Sequence, residues 1–451
     1  MLTQENLRGT VGLLDGETPY GAAGDWPGWL AAGVVAFTLA RRRERRVIDR
    51  IRRPTHGAGV TTRWPLLAVA LVVLACAAGP SPAAELIDEE DHALRPALRE
   101  PTTERMAGLR LPPGFRIAKL AEDVGHPRML TVAEDGTIYA TRPGAGDVVA
   151  LRDEDGDGRA EIRRTVVRDL SGVHDVALRG GAMYLVTVRA VYRAPMTGAE
   201  VGTPVEILGG LPPGQRHPNR TLRFGPDGDL FVSVGSTCNA CVEASPESAA
   251  ILRVSPDGAR RALFATGLRN TIGFGWHPET KEMWGMDHGT DWLGDDFPPE
   301  ELNRLREGGH YGWPFVNAGG RLLPAKTFPS GFDAERERVR TIEPVLGYTA
   351  HAAPMQMTFY TGTQFPAAYR NDAFVAMHGS WNRRPASGYE VVRVDFEGGR
   401  PVAIAAFLNG FLIEGGQATF GRPTGIAVAR DGALLVADDA TGVIYRITYQ
   451  P

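Results

Sequence analysis

One pattern recurs six times between residues 129 and 439, and it constrains the fold more than any other feature of the sequence. Each copy has an alternating apolar run, a turn rich in Asp and Gly, and a second alternating run. A period of two indicates strands with one buried face, and Asp-Gly between them favours a tight hairpin. The copies cover residues 129–142, 173–188, 221–235, 272–289, 357–380 and 425–439.

The spacing of most successive copies, about 45 to 60 residues, predicts four strands per copy. We therefore predict an all-β, six-bladed β-propeller with four-stranded blades over residues 108–451. Residues 291–347 lack alternation and are interpreted as a long loop on one rim, with a short helix over 299–306. Residues 114–124 are predicted to pair with 443–449 and close the ring. A sandwich or a barrel would not explain the regular period.

The composition fits this prediction and excludes one class of partner. The chain has 55 Gly and 33 Pro, which interrupt helices and populate turns. Its formal net charge is only -4, from 49 Lys+Arg and 53 Asp+Glu. We therefore expect no nucleic-acid partner.

The first 107 residues differ in character from the rest and are interpreted as targeting and linker sequence. An apolar run at 66–79 precedes small residues, so residues 60–85 are predicted to be a secretory signal and 86–107 a linker. Cys76 is either a lipidation site or lies upstream of simple cleavage. Residues 1–59 are either a membrane segment or an over-long gene start. The predicted location is periplasmic or extracellular, with membrane anchoring through the N-terminus left open.

Two cysteines in the propeller region form a C-x-x-C pair, Cys238 and Cys241. Such a pair can be redox-active, half of a zinc site or a local disulfide. No second pair completes a four-cysteine zinc site. In an exported protein, a disulfide that pins a loop is the favoured interpretation.

The segment 153–158 begins like a calcium loop, with Asp at every second position and then Gly. Arg164 stands at the twelfth position, where an EF-hand needs Glu. A solvated acidic hairpin is favoured over a weak surface calcium site.

Polar side chains flank the repeats where a propeller would direct them into its central funnel. A cluster of cations and imidazoles at one opening is suited to an anionic ligand. Asp291, Asp295 and Asp296 add oxygen ligands for a hard cation such as calcium. The clustered residues are Arg216, His217, Arg269, Asn270, His288, Asp291, His351 and Arg422.

Six collinear segments give these residues a family context. Together they resemble the soluble glucose/sorbosone dehydrogenases, in particular the sorbosone-dehydrogenase-like branch, over residues 108–449. The segments are RHPNR (216–220), GLRN (267–270), MDHGTDWLGDDFPPEELN (286–303), YGWP (311–314), HGSWNR (378–383) and GRPTGIAV (421–428).

The resemblance implies a pyrroloquinoline quinone (PQQ) cofactor with calcium, oxidation of an aldose or sugar aldehyde, and an electron acceptor that is a quinone or a cytochrome. It places His217 at the position of the general base. It implies cofactor contacts from Arg269, Asn270, His288 and Arg422, and a weaker match at Arg383. Calcium ligation is implied for backbone carbonyls at Gly289 and Thr290, with Asp291, Asp295 and Asp296 as further ligands or braces of the loop.

Two departures from glucose-oxidising relatives prevent transfer of their substrate. Ile272 stands where they carry Gln, and Arg216 stands before the base where they carry Asp. The tautomer and basicity of His217 are therefore set by another group. Two other functions stay open at this point: a non-catalytic binding propeller, and a calcium-dependent propeller hydrolase of the lactonase type.

Overall fold

The computed structural model describes residues 93–323 and 328–451, which are built mainly from β-strands. Two short α-helices occur in this part of the chain, α1 (Thr103–Met106) and α2 (Ala334–Arg340). Three 3-10 helices cover Ala318–Gly320, Ala367–Tyr369 and Glu414–Gly416.

The strands of the first half, in chain order, are β1 (Ala97–Leu98), β2 (Phe115–Ala121), β3 (Leu130–Val132), β4 (Ile138–Arg142), β5 (Asp147–Arg152), β6 (Ile162–Val167), β7 (Asp175–Arg179), β8 (Ala182–Val186), β9 (Val191–Thr197), β10 (Glu200–Val201), β11 (Val205–Leu208), β12 (Arg220–Phe224), β13 (Leu230–Val234), β14 (Ala250–Val254) and β15 (Arg261–Thr266).

The strands of the second half are β16 (Thr271–Trp276), β17 (Met283–Asp287), β18 (Glu300–Leu305), β19 (Gly309–His310), β20 (Val316–Asn317), β21 (Arg321–Leu322), β22 (Leu346–Tyr348), β23 (Pro354–Phe359), β24 (Ala373–Met377), β25 (Glu390–Glu397), β26 (Arg400–Leu408), β27 (Leu412–Ile413), β28 (Ala418–Thr419), β29 (Pro423–Val428), β30 (Leu434–Asp438) and β31 (Val443–Tyr449).

These strands form six sheets of four or more strands, which we number 1 to 6. In order, they are β3–β6, β7–β11, β12–β15 with β19, β16–β18 with β22, β23–β26, and β29–β31 with β2. The first strand of each sheet contacts the first strand of the next, and β29 of sheet 6 contacts β3 of sheet 1. The six sheets therefore follow one another around a closed ring.

The ring is closed by a strand from the N-terminal side, as the sequence predicts. β2 pairs antiparallel with β31, with Phe115 opposite Tyr449 and Ile117 opposite Ile447. The buried Phe115 ring makes edge contacts with four other aromatic rings at centroid distances of 4.7 to 5.1 Å. The last sheet thus combines both ends of the ring, and the hydrogen-bonding edge of β31 is covered.

Each repeat forms the first two strands of a sheet. In the third copy, Arg220 pairs with Val234 and Phe224 with Leu230 across the β12–β13 hairpin. Gly228 in its turn has a φ of 92°, a conformation that other residues rarely adopt. The predicted hairpins are therefore confirmed.

The interpretation of residues 291–347 as a rim loop with a helix over 299–306 is wrong. Residues 300–305 form β18, the third strand of sheet 4, and β22 supplies the fourth. Apolar alternation is absent because Glu300, Glu301 and Asn303 are buried in this strand. The two carboxylates accept hydrogen bonds from backbone N–H groups of neighbouring loops, contacts that only the tertiary structure provides.

The core of sheet 6 gives a stability test with a matched control. Ile444 is 0% exposed, whereas Ile162 at the outer strand of sheet 1 is 39% exposed. We expect Ile444→Val to lower the free energy of unfolding by about 0.5–1.5 kcal/mol, because a buried methyl group is lost. Ile162→Val should change it by less than about 0.5 kcal/mol. Urea denaturation measures both, and equal effects would contradict this account of the core.

The acidic segment at 153–158 is a solvent-exposed turn. Asp153 accepts hydrogen bonds from the N–H groups of Gly156 and Gly158, and Asp155 accepts one from Asp157. The turn therefore satisfies its own backbone donors with its carboxylates.

The predicted targeting sequence, residues 1–59 and 60–85, lies outside the described residues. The predicted linker 86–107 is described from residue 93, and its strand β1 pairs in parallel with β28. In the described part of the chain, no helix has both the length and the apolar character needed to cross a membrane.

Candidate functional site

A single cavity of about 370 Å³ collects most of the predicted site residues. Loops that lead into the first strands of sheets 1, 3, 4, 5 and 6, and loops that follow the second strands of sheets 4 and 5, supply most of its walls. Its volume lies in the usual range for small-molecule sites. The lining residues are Arg128, Arg216, His217, Asn219, Arg269, Asn270, Ile272, His288, Gly289, Asp291, Glu300, His351, Ala353, Met355, His378, Gly379, Trp381, Asn382 and Arg422.

Arginine dominates the charge of this lining. Four guanidinium groups face two carboxyl groups, those of Asp291 and Glu300. Donors in fixed planar forks and an excess of positive charge favour a ligand with carboxylates. The four arginines are Arg128, Arg216, Arg269 and Arg422.

His217 lies three residues before the start of β12, and its ring is fixed by the segment that follows β13. Its Nδ1 lies 2.8 Å from Ser236 Oγ and 3.2 Å from Ser236 O. Because a carbonyl oxygen can only accept, Nδ1 carries the hydrogen. The Ser236 hydroxyl donates its own hydrogen to Cys238 O at 2.7 Å, which leaves its oxygen to accept from His217. The neutral imidazole therefore has its lone pair on Nε2.

The surroundings of His217 keep it neutral. Burial, together with the positive charge of Arg269 and the nearby His288, lowers the pKa of His217 to about 2. Gly235 permits the close packing here, since a Cβ at this position would come within 2.7 Å of His217 Cβ. The imidazole is therefore neutral throughout the neutral pH range.

Asp291 connects the arginines of one wall. Its Oδ2 accepts from Arg269 Nη2 at 2.7 Å and from Arg216 Nη2 at 2.8 Å. Its Oδ1 accepts from Asn382 Nδ2 at 2.8 Å. Burial raises the pKa of Asp291, but the two guanidinium groups outweigh burial and bring the pKa to about 2. Both carboxylate oxygens are thus engaged within the protein.

Asp287, at the end of β17, orients the backbone of the Arg-Asn pair. Its carboxylate accepts hydrogen bonds from the N–H groups of Arg269 and Asn270, each at 2.8 Å, and from the Thr271 hydroxyl. Burial raises the pKa of Asp287 to about 6. Arg269 and Asn270, both predicted to bind the cofactor, therefore have their backbone held in place by the Asp287 carboxylate.

Glu300 connects two loops at the cavity wall. Its carboxylate accepts from the N–H groups of Gly289 and Ala353, each at 2.8 Å. Burial raises the pKa of Glu300 to about 8. His288, beside Gly289, bonds through Nε2 to Pro354 O, and burial lowers its pKa to about 4.

The opposite wall contains a second ion-pair network. Asp439 forms an ion pair with Arg128 and a hydrogen bond with His378, whose pKa burial lowers to about 4. Arg422 donates to the carbonyls of His378 and Gly379 and lies 5.4 Å from the centre of the Tyr389 ring. These contacts orient guanidinium groups from sheets 1 and 6 toward the same space as His217.

Some predicted residues lie beside the cavity and do not line it. Arg383 bonds to Asp295 O and Asp296 Oδ1, each at 2.7 Å, and the N–H of Arg384 donates to Asp295 Oδ1. The Asp296 side chain is 89% exposed. Thr290 is buried, and its hydroxyl has no hydrogen-bond partner.

Several lining or supporting residues were missed in the sequence. Arg128 precedes the first repeat as Arg216 and His217 precede the third, so the same rule would have found it. Glu300 was hidden by the incorrect helix assignment. Ser236, Asn239 and Asn382 carry no signal beyond polarity, since their contacts join segments distant in sequence.

The C-x-x-C pair is a disulfide, as predicted. Cys238 and Cys241 are bonded, with their Cα atoms 6.1 Å apart. The interpretation as a local loop closure is confirmed.

A closed ring of sheets is the architecture of a β-propeller, and here an arginine-rich cavity lies at one end of its inner strands. A family model described as Glucose / Sorbosone dehydrogenase matches residues 124–446. The chain therefore belongs to the glucose/sorbosone dehydrogenase family.

Individual relatives agree with this family. An uncharacterized protein of Borreliella burgdorferi is 29% identical over 359 residues, which cover 76% of this chain and 91% of the relative. A pyrroloquinoline quinone-dependent sugar dehydrogenase of Hypocrea jecorina is 24% identical over 326 residues. The match covers 59% of this chain and 72% of the relative.

The holo form of the pyranose dehydrogenase PQQ domain from Coprinopsis cinerea shares the fold, with a TM-score of 0.65 and 19% identity over 79% of this chain and all of that one. A calcium structure of a Trichoderma reesei enzyme of carbohydrate-active family AA12 has the same TM-score, with 21% identity over 76% of this chain and 97% of that one.

Proposed function

We propose that the protein is a PQQ-dependent dehydrogenase that oxidises an aldose or a sugar aldehyde, with His217 as the general base. In this proposal each of the six sheets is one blade of a six-bladed β-propeller. The observation that carries it is the convergence of His217 and four arginines on one cavity. The family membership and the PQQ-dependent relatives support the same chemistry.

The residues present fit a carboxylated quinone. PQQ is a planar tricarboxylate, and the lining offers guanidinium groups on opposite walls, from Arg216 and Arg269 on one side and Arg128 and Arg422 on the other. We propose that Arg269, Asn270, His288 and Arg422 hold the cofactor, which accepts the hydride when bound. The guanidinium groups would also stabilise negative charge on the reduced ring.

His217 would remove the proton of the hydroxyl group that is bonded to the anomeric carbon of an aldose, or of a hydroxyl group of an aldehyde hydrate. Its Nε2 is the available acceptor, because Nδ1 donates to Ser236. Ser236 thereby takes the tautomer-fixing role for which the sequence offered no partner.

Ile272 and Met355 give the cavity an apolar wall. Where glucose-oxidising relatives present an amide that can bond a sugar hydroxyl, Ile272 presents only hydrocarbon. We propose that the substrate has fewer hydroxyl groups than glucose on the side that faces Ile272, as a sorbosone-like sugar aldehyde would have. Such a substrate needs fewer hydrogen-bond partners from this wall.

For calcium, we propose ligation by the backbone carbonyls of Gly289 and Thr290. The hydroxyl of Thr290 is buried and has no hydrogen-bond partner, so we propose its oxygen as a further ligand of the calcium ion. Asp291 serves as a brace in this proposal, because its two oxygens bind Arg216, Arg269 and Asn382. Asp295 and Asp296 likewise brace the loop through Arg383 and Arg384.

The test is a titration of the purified apoprotein with PQQ and calcium, followed by a panel of aldoses and sugar aldehydes. We expect saturable binding and the spectrum of the reduced quinone after substrate is added. Absence of PQQ binding with hydrolysis of a lactone would favour the hydrolase. Absence of both PQQ-dependent oxidation and lactone hydrolysis would favour the third interpretation, a non-catalytic binding propeller.

Ser236→Ala tests the tautomer assignment. Without the hydroxyl, Nδ1 keeps only the longer contact to Ser236 O, and the fraction of His217 with a free Nε2 falls. We expect kcat to fall by about 10- to 100-fold, the usual effect of losing such a supporting partner. The dissociation constant of PQQ should stay within about threefold, since Ser236 does not line the cavity. An unchanged kcat would contradict this role.

We also propose that the mature protein works in the periplasm or outside the cell, after cleavage of the secretory signal within residues 60–85, with a lipid anchor at Cys76 as the alternative to simple cleavage. The Cys238–Cys241 disulfide supports an oxidising compartment. Mass spectrometry of the mature N-terminus distinguishes a start near Leu86 from a lipidated Cys76. A quinone or cytochrome would receive the electrons from the reduced cofactor.

A further inference from the structure

The disulfide closes a four-residue loop, Cys238–Cys241, against the wall of the cavity. Its second residue, Asn239, is half-buried and points inward. Asn239 does not line the cavity, yet its hydrogen-bond partners Arg269 and Asp291 do.

Asn239 makes five hydrogen bonds to three segments. Its main-chain oxygen accepts from Arg269 Nε at 3.0 Å and from Trp313 Nε1 at 3.2 Å. Its Oδ1 accepts from Arg269 Nη2 at 2.8 Å and from the Asp291 N–H at 2.9 Å. Its Nδ2 donates to Asp291 O at 3.1 Å.

The side-chain amide of Asn239 meets requirements that aspartate and alanine do not. One amide must accept from Arg269 and from the Asp291 backbone while it donates to the Asp291 carbonyl. Aspartate would place a carboxylate oxygen against that carbonyl, and alanine would leave two donors without this acceptor. Asn239 accepts from two nitrogens of the Arg269 guanidinium, from Nε with its main-chain oxygen and from Nη2 with Oδ1. These two contacts set the plane of the guanidinium.

The same loop acts on His217. The hydroxyl of Ser236 donates to Cys238 O, and this bond leaves the Ser236 oxygen free to accept from His217. His217 and Arg269 are therefore both connected to a stretch of four residues whose ends are joined covalently.

We propose that Asn239, locked in place by the Cys238–Cys241 disulfide, is a positioning residue that orients Arg269 and the Asp291 loop for cofactor binding. This inference rests on the proposed function. Asn239 acts through Arg269, so its effect should appear in the affinity for PQQ and depend on the guanidinium.

The first measurement is the dissociation constant of PQQ for the full chain in calcium-containing buffer, from the absorbance change on titration of the apoprotein. We expect Asn239→Ala to raise it by about 10- to 100-fold. Asn409→Ala is the matched control, because Asn409 Oδ1 accepts from Arg110 Nε at 2.8 Å away from the cavity. The control should bind PQQ like the wild type.

A double-mutant cycle separates positioning from a general structural role. Lysine cannot make the two-nitrogen contact with Asn239, so in Arg269→Lys the further change Asn239→Ala should have less than a threefold effect. Equal effects of Asn239→Ala in both backgrounds would overturn the proposal. At saturating PQQ the KM for the sugar should change little, since the loop does not line the cavity.

The double variant Cys238→Ser/Cys241→Ser keeps Asn239 and removes only the disulfide bond. We expect a smaller rise in the same dissociation constant and a urea midpoint close to that of the wild type. If the wild type binds no PQQ, the proposed function itself fails. If the wild type binds PQQ and both the Asn239→Ala and the cysteine variant bind it equally well, only the positioning role is overturned.

Discussion

His217→Ala should lower kcat by about 10²- to 10⁴-fold, the usual contribution of a positioned general base. The imidazole is neutral because burial, Arg269 and His288 lower its pKa, and its hydrogen lies on Nδ1. Alanine removes the only imidazole whose proton position is fixed by Ser236. Steady-state kinetics at saturating PQQ measure the loss.

The affinity for PQQ serves as the control for His217→Ala. We expect its dissociation constant to stay within about threefold, because the guanidinium groups supply the attraction for carboxylates. A kcat within tenfold of the wild type would show that another group removes the proton. A large loss of PQQ affinity with unchanged kcat would make His217 a binding residue.

The pH profile follows from the same electrostatics. A positive neighbour disfavours the imidazolium, so the lowered pKa of His217 predicts a kcat/KM that does not fall as the pH drops through 6.5, where an ordinary histidine would protonate. Removal of a nearby positive charge should raise this pKa and move the acid limb to higher pH. Arg269 is the neighbouring charge with the largest influence.

Arg269→Ala should have the largest effect on both folding and cofactor binding. Its side chain is only 3% exposed and pairs with Asp291, which is 13% exposed. Removal of one partner of a buried ion pair costs about 3–5 kcal/mol, and the lower value is expected because Arg216 and Asn382 still bind Asp291. PQQ binding should be lost at micromolar concentrations.

Arg269→Lys is the control for Arg269→Ala, because it keeps the charge and loses the planar fork. Urea denaturation and PQQ titration of both variants separate the two contributions. We expect lysine to recover most of the stability and little of the PQQ affinity. Full binding of PQQ by Arg269→Ala would exclude Arg269 from the cofactor site.

The site shows why part of it was accessible from the sequence. Arg216, His217, Arg269, Asn270 and Arg422 stand just before inner strands, and the alternating pattern places those strands without knowledge of contacts. Because every inner strand begins at the same end of a ring, residues at that position converge on one cavity.

The partners of these residues could not be read in the same way. Ser236 bonds to His217, 19 residues away, and Asn239 bonds to Arg269 and Asp291, 30 and 52 residues away. Glu300 lies in a strand that shows no apolar alternation, because its carboxylate satisfies backbone donors of two loops.

The local pattern of the chain determined the hairpins, because turn residues and two-residue alternation act over short distances. The pairing of β2 with β31 followed from the need of a closed ring to cover its strand edges, and the family followed from six collinear motifs. Only the tertiary structure decided that residues 300–305 are a strand, that the Asp291 carboxylate binds two arginines, and that the proton of His217 lies on Nδ1. These depend on which polar atoms meet after folding, and a buried polar group takes whatever partner the neighbouring loops present.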